Sequence, residues 1–96
     1  MNHSAVDASK FVPSTEVIAQ PVKEQTVLFD MASGNYFALN EIGARTWELM
    51  DGNRALAEIV SILCSEYDAP YEVISEDITV LVEQLHADGL VILPEG

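Results

Sequence analysis

Glu83-Gln84-Leu85-His86 is the place in this 96-residue chain where two metal-capable side chains fall at a ligand spacing. Glu-x-x-His on a helix puts a carboxylate and an imidazole on one face, as in carboxylate-bridged di-iron bundles. Such a centre needs a second copy of the motif and two more inward glutamates, and the sequence offers one copy. Glu83 and His86 also fall on the polar side of an amphipathic helix, so a solvated face accounts for them. His3 sits in an N-terminal arm. The sole cysteine, Cys64, continues the apolar side of a helix, where a free thiol usually acts as a small hydrophobe. A nucleophilic thiol needs a cationic neighbour or a helix N-terminus, and neither is visible around it. Glu76 and Asp77 are adjacent, so on a helix they point apart. No Gly-rich phosphate loop occurs, and with His86 as the only credible base no Ser-His-Asp set can be assembled. The expectation is a non-catalytic protein with no cofactor and no metal.

Charge narrows the partners. Four Lys and Arg stand against sixteen Asp and Glu, a formal net charge of −12. Nucleic-acid binders draw most of their affinity from cations that displace counterions from phosphates, and this chain has few to offer. An anionic membrane surface is disfavoured for the same reason. A basic peptide or protein patch is the partner class the charge favours. No apolar run approaches the ~20 residues of a membrane span, and the start, MNHSAVDASK, lacks a signal-peptide pattern. With one cysteine no internal disulfide can form, and a cytoplasmic location is the expectation.

These residues must be carried by a small set of elements. Residues 1–12 have no period and read as a mobile arm, followed by one domain over 13–96. Glu16 to Gln20 reads as a strand stopped by Pro21, Val27 to Phe29 as a second and Tyr36 to Leu39 as a third. Asp30 to Gly34 between the last two is turn chemistry, with Gly34 free to take a positive φ. Asn40 is a good N-cap for a helix carrying Ile42, Gly43, Trp47, Leu49 and Met50, closed by Asp51-Gly52-Asn53. Gly43 inside a helix costs about 1 kcal/mol relative to Ala, so another element should approach closely there. A second helix, Ala55 to Tyr67, has Leu56, Ile59, Val60, Leu63 and Tyr67 on one face. A third, Tyr71 to Asp88, has Ile74, Ile78, Leu81, Val82 and Leu85 on its apolar face. Ser75, Glu76, Thr79, Glu83 and His86 form its polar side, and Val73, Asp77, Val80 and Gln84 the remaining flank. Leu90 to Leu93 should pack back on the core. The fold class is α+β, an antiparallel three-stranded ribbon followed by three helices.

The stretches VLFDMASGNYFALNEIGARTWELMDG, EIVSILCSEYDAP and EDITVLVEQLHADGLV together resemble the PqqD-like family over Val27 to Val91. The matching features are Leu39-Asn40, Gly43, Trp47, Asp51-Gly52, Glu58-Ile59 with Leu63, Tyr67-Asp68, Asp77 and Gly89-Leu90. Members acting in pyrroloquinoline quinone synthesis typically have a Tyr-Pro-Glu-Gly-like turn before the third strand. Met31-Ala32-Ser33-Gly34 stands there in this chain, which is more similar to the stand-alone recognition proteins of lasso-peptide clusters.

The resemblance implies a winged helix that binds the leader of a ribosomally made precursor peptide. It implies a groove between the third strand and the third helix, in which the leader adds as a strand. The residues placed there are Asn35, Tyr36, Phe37, Ala38 and Leu39 on the strand, and Asp77, Val80, Leu81 and Gln84 on the helix. Ile78, Val82 and Leu85 point more centrally into the core. The implied partners are the leader and a maturation enzyme, either a leader peptidase or a radical-type modifying enzyme. The helix order alone would also suit a winged-helix DNA-binding regulator. Glu76, Asp77 and Glu83 on the third helix, with no Lys or Arg after Arg54, oppose that reading. A structural subunit of a modifying enzyme is the other alternative.

Overall fold

The computed structural model describes residues 8–93. Its elements are β1 (Val12–Pro13), β2 (Val17–Val22), β3 (Gln25–Asp30), β4 (Tyr36–Leu39), α1 (Glu41–Leu49), α2 (Leu56–Tyr67), α3 (Tyr71–Ala87) and β5 (Val91–Ile92). The ribbon is antiparallel in the order β2-β3-β4, and β1 pairs with β5 in a separate two-stranded piece. The α+β class, the three-stranded ribbon and the three helices are as expected.

Local chemistry explains the boundaries. Val22 pairs with Gln25 across a two-residue turn in which Lys23 takes φ 58°. The β3–β4 turn is organised by Asp30, whose carboxylate accepts from the Ala32 N–H at 3.1 Å and from the Ser33 hydroxyl at 2.9 Å. Gly34 there has φ +81°, the left-handed region in which a side chain is strained. Asn40 caps α1 by accepting from the Gly43 N–H at 2.8 Å. Ala55 before α2 has no side-chain acceptor, and Glu58 reaches back to take its N–H at 2.8 Å.

The core is contributed by every layer. Leu28 and Leu39 come from the ribbon, Leu49 from α1, Leu56, Ile59, Val60 and Leu63 from α2, and Ile74, Ile78, Val82 and Leu85 from α3. Leu90 and Val91 close it from the C-terminal side. Trp47 is half-buried against this cluster, as are Cys64, Tyr67 and Leu81.

Four expectations need correction. Residues 11 and 12 do not belong to a mobile arm: Phe11 is buried in the core, and Val12 pairs with Ile92. Residues 1–7, His3 among them, and residues 94–96 lie outside the described residues. Pro21 does not end the first strand, because it pairs with Thr26 from an edge position that asks no N–H of it. Thr79, placed on the polar side of the third helix, is buried, since the packed arc of α3 runs on past Val82. Of the apolar ending, Leu90 and Val91 pack inward while Ile92 and Leu93 remain exposed.

Candidate functional site

β4 is an edge strand, and the hydrogen bonds at its start set which backbone groups are free. The Asp30 N–H donates to the Asn35 carbonyl at 2.9 Å. Backbone direction alternates along an antiparallel strand, so Phe37 and Leu39 direct their N–H and C=O groups to β3, as Asn35 does its carbonyl, while the Asn35 N–H donates to the Ser33 hydroxyl at 3.2 Å. Tyr36 and Ala38 direct theirs to the open edge. Asn40 ends the run, its carbonyl taken by the Ala44 N–H at 2.8 Å. The opposite edge obeys the same phase. The Met31 N–H donates to the Glu16 carbonyl at 2.9 Å, which places the nitrogen of Pro21 on the open side of β2. A proline there discourages further pairing, whereas β4 (Tyr-Phe-Ala-Leu) has neither proline nor charge to do so.

Beside that edge runs a groove of about 610 Å³ between β4 and α3, floored by Ile42, Gly43 and Ile78. Its width is set at Gly43. A Cβ there would lie 3.3 Å from Leu81 Cδ2 and 3.2 Å from the capping Asn40 Oδ1, so the glycine allows α1 and α3 to approach. Leu81 both packs on the core and lines the groove. Val80, 60% exposed, stands on the outer flank of α3, as does Val73. Of the two, Val80 lines the groove and presents an exposed apolar side chain beside the bare strand edge.

Seven of the nine residues placed at the site by sequence reasoning meet in this groove: Phe37, Ala38, Leu39, Asp77, Val80, Leu81 and Gln84. Asn35 and Tyr36 do not line it. They border a second hollow of about 300 Å³ with Asp30, Ser33, Asp88 and Leu90, and Phe37 borders both. The Tyr36 ring instead meets Phe29 in a tilted contact on the outer face of the ribbon, centroids 4.9 Å apart. Sequence reasoning missed Glu76, which it assigned to the solvated side and which lines the groove. The available signal was its position next to Asp77, with which it lines the groove. Glu83 and His86 are both exposed, and the His86 ring makes an edge contact with Phe11 at 5.4 Å.

Glu76 and Asp77 are the charged residues of the groove, and no Lys or Arg lines it. Both described arginines are engaged elsewhere. Arg45 joins α1 to α2 through Glu66 at 2.7 Å and also meets Glu48 at 3.1 Å, while Arg54 pairs with Asp51 at 2.9 Å. The Arg45 guanidinium holds the Glu66 carboxyl below the usual glutamate range. The Asn53 N–H, and then Arg54, do the same for Asp51. Desolvation, followed by the nearby Glu41 and Glu66 charges, pushes the Tyr67 phenol up. These groups lie on α1, α2 and the turn between them, away from the groove. Among the described residues no group of three or more His, Cys, Asp and Glu could hold a metal ion, and no helix is long and apolar enough to cross a membrane.

Fold and site together define a winged-helix domain with a bare strand edge opening onto a helix-lined groove. The chain belongs to the coenzyme PQQ synthesis protein D (PqqD) family, whose model matches residues 25–91. The PqqA binding protein of Rhizobium meliloti (strain 1021) is 35% identical over 65 residues, covering 68% of this chain. The chain spans 64% of that protein's length. Two solved structures share the fold at a TM-score of 0.76, over 88% of this chain and 99% of theirs. They are TbiB1 in complex with the TbiA(beta) leader peptide, 25% identical, and lasso peptide synthetase B1 complexed with the leader peptide, 26% identical.

Proposed function

We propose that this protein is a non-catalytic adaptor that binds the leader of a ribosomally made precursor peptide along β4 and presents it to a maturation enzyme. The observation that carries the reading is the unblocked edge of β4, with the Tyr36 and Ala38 backbone free, opening directly onto the groove against α3. Strand addition supplies affinity through main-chain hydrogen bonds and specificity through side-chain pockets, and both parts are in place. Val80 and Leu81 offer an apolar surface to one side chain of the added strand. Asp77, with no Lys or Arg lining the groove among the described residues, offers a partner to a basic one. Kinship with a PqqA binding protein and the fold shared with two leader-peptide complexes support the same ligand class. The maturation enzyme is a leader peptidase or a radical-type modifying enzyme, and a cytoplasmic setting, where precursors are made, fits both. Duplex DNA is a poor alternative ligand, because α3 presents Glu72, Glu76, Asp77 and Glu83 and no Lys or Arg.

The test is a fluorescence-anisotropy titration with the labelled leader of a precursor encoded beside this gene. Saturable binding is expected, weakened by Val80→Glu by about 1–3 kcal/mol, the cost of setting an unpaired charge against an apolar contact, with the fold retained. No binding, or an affinity unchanged by both Val80→Glu and Asp77→Lys, would move the ligand off this groove. Salt-sensitive, sequence-dependent binding of duplex DNA would favour a regulator instead.

A further inference from the structure

The outer face of the ribbon is built from alternate residues: Ile18, Gln20 and Val22 on β2, Gln25, Val27 and Phe29 on β3, and Tyr36 and Ala38 on β4. None of these carries a charge, in a chain whose formal net charge is −12. Across this face Ile18 is paired with Phe29 and Phe29 with Tyr36, forming a row that runs from one sheet edge to the other. The row ends at the free edge on a tyrosine that is 71% exposed, with Ile18 at 48%. Phe29 and Tyr36 are already in contact, their ring centroids 4.9 Å apart and their planes tilted by 47°. Most of the Tyr36 ring therefore remains free, on the strand whose edge a further strand would pair with.

Backbone phase turns this into a statement about a ligand. Tyr36 is one of the two residues whose N–H and C=O face outward, so an added antiparallel strand would place one residue directly opposite it as a hydrogen-bonded pair. Directly opposed residues project their side chains to the same face. That ligand side chain therefore lands on the outer face beside the Tyr36 ring, while its neighbours on either side turn into the groove toward Val80 and Leu81.

We infer that the bound peptide is read on both faces: the groove takes one set of its side chains, and the exposed Tyr36 ring selects an aromatic or β-branched residue at the intervening position, extending the row Ile18–Phe29–Tyr36. The inference rests on strand addition at β4 as the binding mode. The face adjoins the groove through Ala38, which belongs to both, so the peptide that fills one necessarily lies along the other. A ring-on-ring or ring-on-β-branched pair across strands is worth about two- to fivefold in affinity, enough to rank related leaders without deciding binding alone.

The experiment is selection of a displayed library of randomised twelve-residue peptides against the full chain, its Tyr36→Thr variant, its Val80→Glu variant and a strand-blocked Ala38→Pro variant. Thr keeps strand propensity and removes the ring. The wild type should enrich Tyr, Phe, Trp, Ile or Val at one position, and Tyr36→Thr should lose that preference while other positions keep theirs. Positions altered by Tyr36→Thr and by Val80→Glu should be an odd number of residues apart, because they project to opposite faces. An even spacing, or a preference that Tyr36→Thr leaves intact, overturns the two-faced reading and leaves groove binding standing. No enrichment above the Ala38→Pro background overturns strand addition and this inference with it. Sedimentation of the wild type and Tyr36→Thr gives the remaining outcome: a dimer that Tyr36→Thr dissociates assigns the face to a second copy and overturns the proposal.

Discussion

Ala38→Pro separates binding from folding more cleanly than any side-chain change in the groove. The Ala38 N–H points to the open edge, so its loss removes no hydrogen bond of the folded sheet. Proline is tolerated on an edge strand at such a position, and Pro21 of β2 occupies the equivalent phase at the other edge in the native chain. Phe37, which precedes the new proline, is already extended, as that position requires. Folding should therefore be nearly unaffected, with Tm within a few degrees of the wild type. A bound strand, in contrast, loses one hydrogen bond, worth about 0.5–1.5 kcal/mol net. It is also left with an unpaired carbonyl at a partly buried site, at about 1–3 kcal/mol. The sum, about 1.5–4.5 kcal/mol, corresponds to a roughly tenfold to two-thousandfold weaker Kd. The control is Phe37→Pro measured against Phe37→Ala. The Phe37 N–H faces β3, so the proline should cost stability beyond the loss of the ring, by about 1.5–4.5 kcal/mol. Circular dichroism melts and anisotropy titrations on the same samples give both readouts. Wild-type affinity in a folded Ala38→Pro would refute the strand pairing. A destabilisation of Ala38→Pro equal to that of Phe37→Pro would refute the backbone phase itself.

Two further outcomes follow from packing and charge. Trp47→Ala should cost about 2–3 kcal/mol in denaturant melts, below the ~3–5 of a fully enclosed ring, because Trp47 is half-buried; an unchanged midpoint would show that its contacts with the core contribute nothing. The Glu66 carboxyl is held below its ordinary value of 4.5 by Arg45, so its contribution is fully present above that value and is lost as pH falls through the lowered one. The stability gap between wild type and Arg45→Gln should accordingly narrow on acidification below about pH 4.5, and a gap independent of pH would show that the pair does not couple to folding.

Much of the fold was legible because it is written in local chemistry. Asn40 announces a helix start through its side chain, and the faces of the second and third helices follow from apolar spacing that only one packing direction satisfies. Gly43 was legible as a close approach because a mid-helix glycine is costly without one, and Leu81 is the group it admits. What escaped depended on partners distant in sequence. Val12–Pro13 and Val91–Ile92 form a two-stranded piece too short to show any period, and Phe11 is buried beside it. Pro21 reads as a strand end unless the phase of its hydrogen bonds is known, and that phase depends on β3. Thr79 and Glu76 sit at the margins of the helical arcs, where burial or groove lining is decided by the neighbouring element rather than by α3. Tyr36 was placed in the groove because it lies between residues of the edge strand, but alternation turns its ring to the other face.

Strand addition at β4 is tested most directly by residue-resolved amide hydrogen exchange on the full chain, with and without the neighbouring precursor's leader. The Tyr36 and Ala38 amides should exchange freely in the unbound protein and become protected at saturation. Phe37 and Leu39, already bonded to β3, should be protected in both states. Tyr36 and Ala38 amides that exchange equally fast with leader bound would contradict the account.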